Sequence, residues 1–195
     1  MRVLLVAEGR NELAGAIETL VRRLGLGDAE IVQDWANRRS LHAHHGKGKG
    51  FLKRAQQWMK FALRHEFDVL VMVIDQDKRP ESVREFDTAQ DDPQFAIRRA
   101  LGVAIRTFDA WMLADEKALS QVLACQVNRR PSPEETPDPK RCCDQLCAGS
   151  NAPLGRSEVY AALAAVVNVG VVESRCPKGF APFAQRVREL SSSRR

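Results

Sequence analysis

The sequence predicts an α/β protein, a mostly parallel central sheet flanked by helices, with a helical carboxyl-terminal appendage. Three observations predict it. Residues 69–74, Val-Leu-Val-Met-Val-Ile, are six apolar residues in a row, the composition of a strand buried on both faces. A second short apolar run, 2–7, leads directly into apolar residues at helical spacing. Strand and helix then alternate through residue 124, as parallel strands joined by right-handed helical crossovers require. Residues 1–124 are therefore expected to form the α/β domain. Residues 125–195 should add a proline-rich loop and a helical extension packed on it.

Residues 2–7 form the first strand, and Glu8-Gly9-Arg10-Asn11-Glu12 follows at once. Leu13, Ala16, Ile17, Leu20, Val21 and Leu24 then recur at helical spacing, so 10–24 is an amphipathic helix closed by Gly25 and Gly27. Residues 30–34 form a second, short strand. Residues 35–50 have neither period and read as a polar loop. Helical spacing resumes over 51–64 through Phe51, Ala55, Trp58, Met59 and Ala62, and leads into the strand at 69–74. Pro80 stands as at a helix start, and part of 81–100 is helical, with a break expected at Asp92-Pro93. Residues 102–107 read as a further strand. It runs into a helical stretch from Phe108 to Asp115 that continues over 116–124. Four prolines within 129–140 predict a surface loop without regular structure. Helices follow at 141–147, 157–167 and 182–190, with Phe180 and Phe183 as anchors to the core.

The totals set bounds. A chain of 195 residues with 44% hydrophobic and 28% charged residues has the composition of an ordinary globular protein. A net charge of +5 tolerates a polyanionic partner without demonstrating one. The first strand is too short for a signal sequence, and no apolar stretch reaches the roughly 20 residues that span a bilayer. Five cysteines are an odd number, and the spacing of Cys142, Cys143 and Cys147 matches no common zinc pattern. A reducing cytoplasm with free thiols and no membrane association is the expectation.

The acids carry the chemistry. Ionised carboxylates cannot sit in the middle of a buried strand, so Asp75 and Asp77 belong where the strand leaves the sheet. Glu8 occupies the same place on the first strand, and Glu12, four residues on, projects back over that edge if the helix begins near Gly9. Gly9 is expected to permit a tight strand-to-helix turn. Asp75 and Asp77 share a side if the extended backbone persists. In a parallel sheet the carboxyl ends of the strands lie along one edge, where ligands bind. Four acids gathered there favour a hard divalent cation with oxygen ligands. Taken singly, each acid could instead cap a helix or face solvent.

The segments Val6-Ala7-Glu8-Gly9-Arg10-Asn11-Glu12 and Val73-Ile74-Asp75-Gln76-Asp77 together resemble the signature of the TOPRIM fold. Topoisomerases, bacterial primases and the overcoming-lysogenization-defect nucleases share that fold. The Glu-Gly-x-x-Glu form is most similar to the last group and to small stand-alone TOPRIM-like proteins. In the latter an acidic-Ala-Trp-Leu-Leu-Ala-Asp segment is also expected; here it is Phe108-Asp109-Ala110-Trp111-Met112-Leu113-Ala114-Asp115, with Asp109 in place of Glu. The resemblance covers roughly residues 1–120. It implies a Rossmann-like TOPRIM fold and Mg²⁺ (or Mn²⁺) held by Asp75 and Asp77. Glu8 would be a ligand or general acid–base, and Glu12 an additional ligand. The implied activity is nuclease-like phosphodiester hydrolysis on DNA or RNA, with defence against foreign nucleic acid as one setting. The alternative is a non-catalytic nucleic-acid-binding or regulatory protein that keeps the fold and the metal site. No Gly-rich phosphate loop accompanies the motif. The only tyrosine, Tyr160, falls in a packing helix, which argues against a topoisomerase.

Three further features have two readings each. Asp109 either supports the metal edge or caps its helix; Asp115 either supports it or is exposed. Arg38, Arg39, Lys47, Lys49, Lys53 and Arg54 surround His42, His44 and His45 in a stretch that suits a phosphate-contacting arm, or a solvated loop. Lys78 either contacts a scissile phosphate or faces solvent.

Overall fold

The computed structural model describes residues 1–36, 50–129, 132–152 and 154–192. Four strands, β1 (Arg2–Ala7), β2 (Glu30–Trp35), β3 (Val69–Asp75) and β4 (Arg98–Ala104), form one all-parallel sheet in the order β2-β1-β3-β4. The chain thus runs outward from β1 to β2, returns to lay β3 on the other side of β1, and continues to β4. The register aligns Ala7 with Val73 and Asp75 with Ala104. Side-chain alternation splits the strands between two cores. Val3, Leu5, Ala7, Val69, Val71 and Val73 face one layer, and Leu4, Val6, Leu70, Met72 and Ile74 face the other.

The second layer is built by α2 (Gly50–Arg64) and α3 (Glu81–Gln90), with Trp58, Met59 and Phe86 fully buried. The first layer holds α1 (Ile17–Val21), flanked by wider helical turns at Glu12–Ala16 and Arg22–Leu26. The single helix expected over 10–24 is thus interrupted. Gly15 (φ 112°) and Gly25 (φ 127°) adopt backbone angles open to glycine, and each re-aims the chain.

The remaining helices are α4 (Asp109–Met112), α5 (Glu116–Leu123), α6 (Pro139–Ala148), α7 (Arg156–Val166), α8 (Val169–Arg175) and α9 (Phe180–Ser192). They belong to the first layer and are not peripheral to it. Trp111 stacks on Phe183 with centroids 5.5 Å apart, and both are wholly buried. Arg23 donates to the carbonyls of Ala164 (2.6 Å) and Val167 (2.7 Å), closing the end of α7. The carboxyl-terminal part therefore supplies half of the sheet's cover.

Three boundaries differ from the sequence expectation. β4 begins at Arg98, not at residue 102, because Gly102 is no turn. A Cβ there would lie 2.7 Å from the Phe183 ring, so glycine is what lets α9 close on the sheet. The proline-rich stretch has a short 3₁₀ turn at Pro133–Glu135. Buried Glu134 accepts from the amides of Lys178 (3.0 Å) and Gly179 (2.7 Å). Helix α8 had no apolar period to announce it; the Asn168 side chain caps its first turn. Among the described residues no single helix is long and apolar enough to cross a membrane.

Candidate metal centre

The strand order makes β1 and β3 neighbours while their connections diverge, and this reversal opens a crevice at their carboxyl ends. Glu8 and Asp75 flank it. A cavity of about 380 Å³ lies there, lined by Glu8, Glu12, Asp75, Asp77, Asp109 and, from the carboxyl-terminal helices, Lys140, Arg156 and Tyr160 among others. The four acids singled out from the sequence thus meet at one place. Each is held differently.

Glu8 follows β1, one step beyond the register that aligns Ala7 with Val73. Its Oε2 accepts the amide of Asp75 at 3.0 Å, and its Oε1 is 2.6 Å from Nη1 of Arg54. Arg54 is buried and also donates to the carbonyl of Ala36. The expectation that Arg54 belongs to a solvent-facing basic arm is therefore corrected. Its position on the inward side of α2 makes it the counter-charge of the acidic centre. Lys53, next to it, is exposed. Arg38, Arg39, Lys47 and Lys49, with the three loop histidines, lie outside the described residues.

Glu12 turns back as expected, and its Oε2 accepts the amide of Gly9 at 2.8 Å. The role of Gly9 differs from the expected tight turn, since its φ is not positive. A Cβ on it would lie 2.1 Å from Glu12 Oε1, so glycine leaves room for the carboxylate. Asp75, the last residue of β3, accepts the amide of Phe108 at 2.7 Å. Asp77 does not continue the strand. Its φ of 50° is left-handed, and its amide donates to the carbonyl of Arg106, itself at φ 66°. Two non-glycine residues in this sparsely populated region face each other beside the cavity, a pattern that concentrates at functional sites.

Electrostatics follow from burial and crowding. The Glu12 carboxyl is pushed up to about 7 by burial, with Asp109 and Glu8 adding repulsion against the relief from the Gly9 amide and Arg156. Asp75 is pushed up to about 9, again chiefly by burial, with Glu12, Glu8 and Asp77 nearby. Burial and Glu8 also raise Asp77, against Arg79 and Lys140. Such groups bind protons or a cation tightly.

The donor chemistry fits a hard divalent ion: carboxylate oxygens, without sulfur or imidazole, in a water-sized space. The side chains do not form a finished cage. Among the described residues no group of three or more Asp, Glu, His or Cys side chains is arranged to hold a metal. Glu8 is turned to Arg54, and Glu12 to Gly9.

Asp109 lines the cavity, but neither caps α4 nor faces the other acids freely. Its Oδ1 accepts from both Arg156 and the Tyr160 hydroxyl. Arg156 also pairs with Asp144 at 2.6 Å. Asp115 is buried and distant in role: Oδ1 caps α5 through the amides of Lys117 and Ala118, and Oδ2 accepts the amide of Asn168. Lys78 lines a neighbouring cavity of about 520 Å³ with Asp77, Arg79, Arg106, Thr107 and Lys140. Trp111 is core.

Arg106, Thr107, Lys140, Arg156 and Tyr160 escaped the sequence reading because no local period marks them. Arg156 alone carried a signal. A cation on the first turn of a helix opposes the helix dipole and needs nearby carboxylates to hold it. Comparison of the chain with family models, curated protein sequences and solved structures gives no match, so the site is defined by its own geometry.

Proposed function

We propose that this chain is a TOPRIM-like, Mg²⁺-dependent phosphodiesterase acting on nucleic acid. The observation that carries the reading is the convergence of Glu8, Glu12, Asp75 and Asp77 on one cavity at the sheet's switch point. The motif resemblance and the cationic rim of Lys78, Arg79, Arg106 and Lys140 support it.

A divalent ion bound by Asp75, Asp77 and Glu12 would supply Lewis acidity toward a phosphoryl oxygen and lower the pKa of a coordinated water. The chain's own groups do the rest. Deprotonated Asp75 and Asp77 provide hard oxygen donors. Glu8, held by Arg54 and the Asp75 amide, is placed to accept a proton from an attacking water. Arg156, fixed by Asp109, places a guanidinium at the cavity wall, where charge builds on a phosphate in displacement.

The test is cleavage of plasmid and single-stranded substrates, DNA and RNA, with Mg²⁺ or Mn²⁺. Activity is expected in the wild type and a loss of at least about 10²-fold in Asp75→Asn or Asp77→Asn. Cleavage that survives both substitutions overturns the site.

One observation favours a second reading, a binding or regulatory protein without turnover: Glu8 is already neutralised by Arg54. Nucleic-acid binding without cleavage under any divalent ion would select it.

A further inference from the structure

The cavity beside the acids has a composition of its own. Lys78 and Arg79 enter it from the turn after β3, Arg106 from the turn after β4, and Lys140 from the start of α6. All four are exposed, and among the described residues none forms an ion pair with a carboxylate. Arg79 instead lies over the ring of Phe51, 5.5 Å from its centroid. The two carboxylates in the wall do not neutralise the group. Asp138 is engaged as the cap of α6, accepting the Arg141 amide at 2.9 Å, and Asp77 is shared with the acidic cavity.

The two cavities are continuous in their walls. Asp77, Thr107 and Lys140 line both. The Thr107 hydroxyl is buried and has no hydrogen-bond partner among the described residues. Unpaired cations beside a hydroxyl lacking a partner suit an anion, and the first turn of a ten-residue helix adds its positive dipole end. The volume of about 520 Å³ falls in the range of sites that enclose a small ligand. The rigid rings of Pro137 and Pro139 add apolar wall.

We propose that this basic cavity is a subsite for the phosphate next to the one that faces the acids. The substrate is then a polynucleotide strand held over consecutive phosphates, with Lys140 and Thr107 at the junction. The inference rests on the phosphodiesterase reading for the position of the reacting phosphate; occupancy of the basic cavity is a separate measurement. Lys78 thereby moves from the scissile phosphate to its neighbour.

The experiment measures binding of a fluorescent single-stranded DNA of about twelve nucleotides, a length within the range of single-strand sites, by the full chain across a salt series. Ca²⁺ replaces Mg²⁺ in the binding arm. Lys78→Gln/Arg106→Gln/Lys140→Gln is expected to weaken binding about tenfold or more at low salt and to flatten the slope of log K against log salt by about two, since each single-strand phosphate contact contributes about 0.7. The charge-preserving Lys78→Arg/Arg106→Lys/Lys140→Arg is expected to keep the wild-type slope, which separates charge from folding. Asp75→Asn is expected to bind as the wild type while losing cleavage in Mn²⁺. Adenosine 5′-monophosphate and inorganic phosphate serve as competitors and are expected to displace the strand poorly.

An unchanged slope in the Gln variant overturns the subsite, even if the wild type cleaves. Displacement by the mononucleotide as effective as by unlabelled strand overturns the consecutive-phosphate claim. A lost slope without cleavage in the wild type leaves the subsite standing and removes the phosphodiesterase reading.

Discussion

Nη1 of Arg54 lies 2.6 Å from Oε1 of Glu8, with the arginine side chain 4% exposed and the glutamate 19%. The pair links the inward face of α2 to the end of β1, across the crevice where β1 and β3 part. It puts a fixed positive charge where a metal ion would otherwise be the only counter-charge. A divalent ion that engages Glu8 must compete with this guanidinium.

Removing the guanidinium should therefore have two opposite effects. Arg54→Ala is expected to destabilise the metal-free protein by about 3 kcal/mol, since a buried carboxylate loses its partner. Adding Mg²⁺ should recover more stability in the variant than in the wild type. Thermal unfolding with and without Mg²⁺ reads both. Equal Mg²⁺ shifts in the two proteins would remove Glu8 from the metal site.

Gly9→Ala places a methyl against the Glu12 carboxylate and is expected to cost about 1–3 kcal/mol, through displacement of that group and loss of its bond to the Gly9 amide. The cost should largely vanish in an Glu12→Ala background, because the obstructing atoms are gone. A double-mutant cycle by urea unfolding measures the coupling. Additive effects would show that the glycine serves the backbone.

The raised carboxyls make the metal-free protein sensitive to alkali. Glu12 and Asp75 hold their protons more tightly folded than unfolded, so the unfolded chain binds fewer protons between the ordinary carboxylate range and pH 7 to 9. Stability should thus fall as pH rises from about 4 through 7 for Glu12, and on toward 9 for Asp75. Asp75→Asn should flatten the upper part of that decline. Mg²⁺ should oppose it, binding more tightly as the acids deprotonate. Unfolding midpoints measured from pH 5 to pH 9, about the span of these titrations, test the sign.

A chain ending at residue 124 should not fold. It would uncover Phe108 and Trp111, which pack on Phe180, Phe183 and Tyr160, and it would strip α7 and α9 from one face of the sheet. Aggregation or a non-cooperative thermal transition is the expected outcome. A cooperative, monomeric 1–124 fragment would show that the α/β part stands alone.

The sequence by itself determined the local elements and the places where acids could stand. Alternation and helical spacing are signals carried within a few residues, so β1, β3, α2 and the helical run after Glu12 were legible. So was the exit of Glu8 and Asp75 from strands, because a charge cannot remain inside a buried run. β4 was misread at Gly102, whose role is set by Phe183 from the far end of the chain.

Only the tertiary structure decided what surrounds the acids. The order β2-β1-β3-β4 brings Glu8 to the amide of Asp75, 67 residues away, and to Arg54, 46 residues away. Asp77 was assigned to the strand's alternation, but its bond to the Arg106 carbonyl turns it into the left-handed region. Lys140 and Arg156 reach the crevice from α6 and α7, helices that sit there to cover one face of the sheet. Pairings of this kind depend on which faces need burial and how the chain crosses between them, and no window of sequence contains that information.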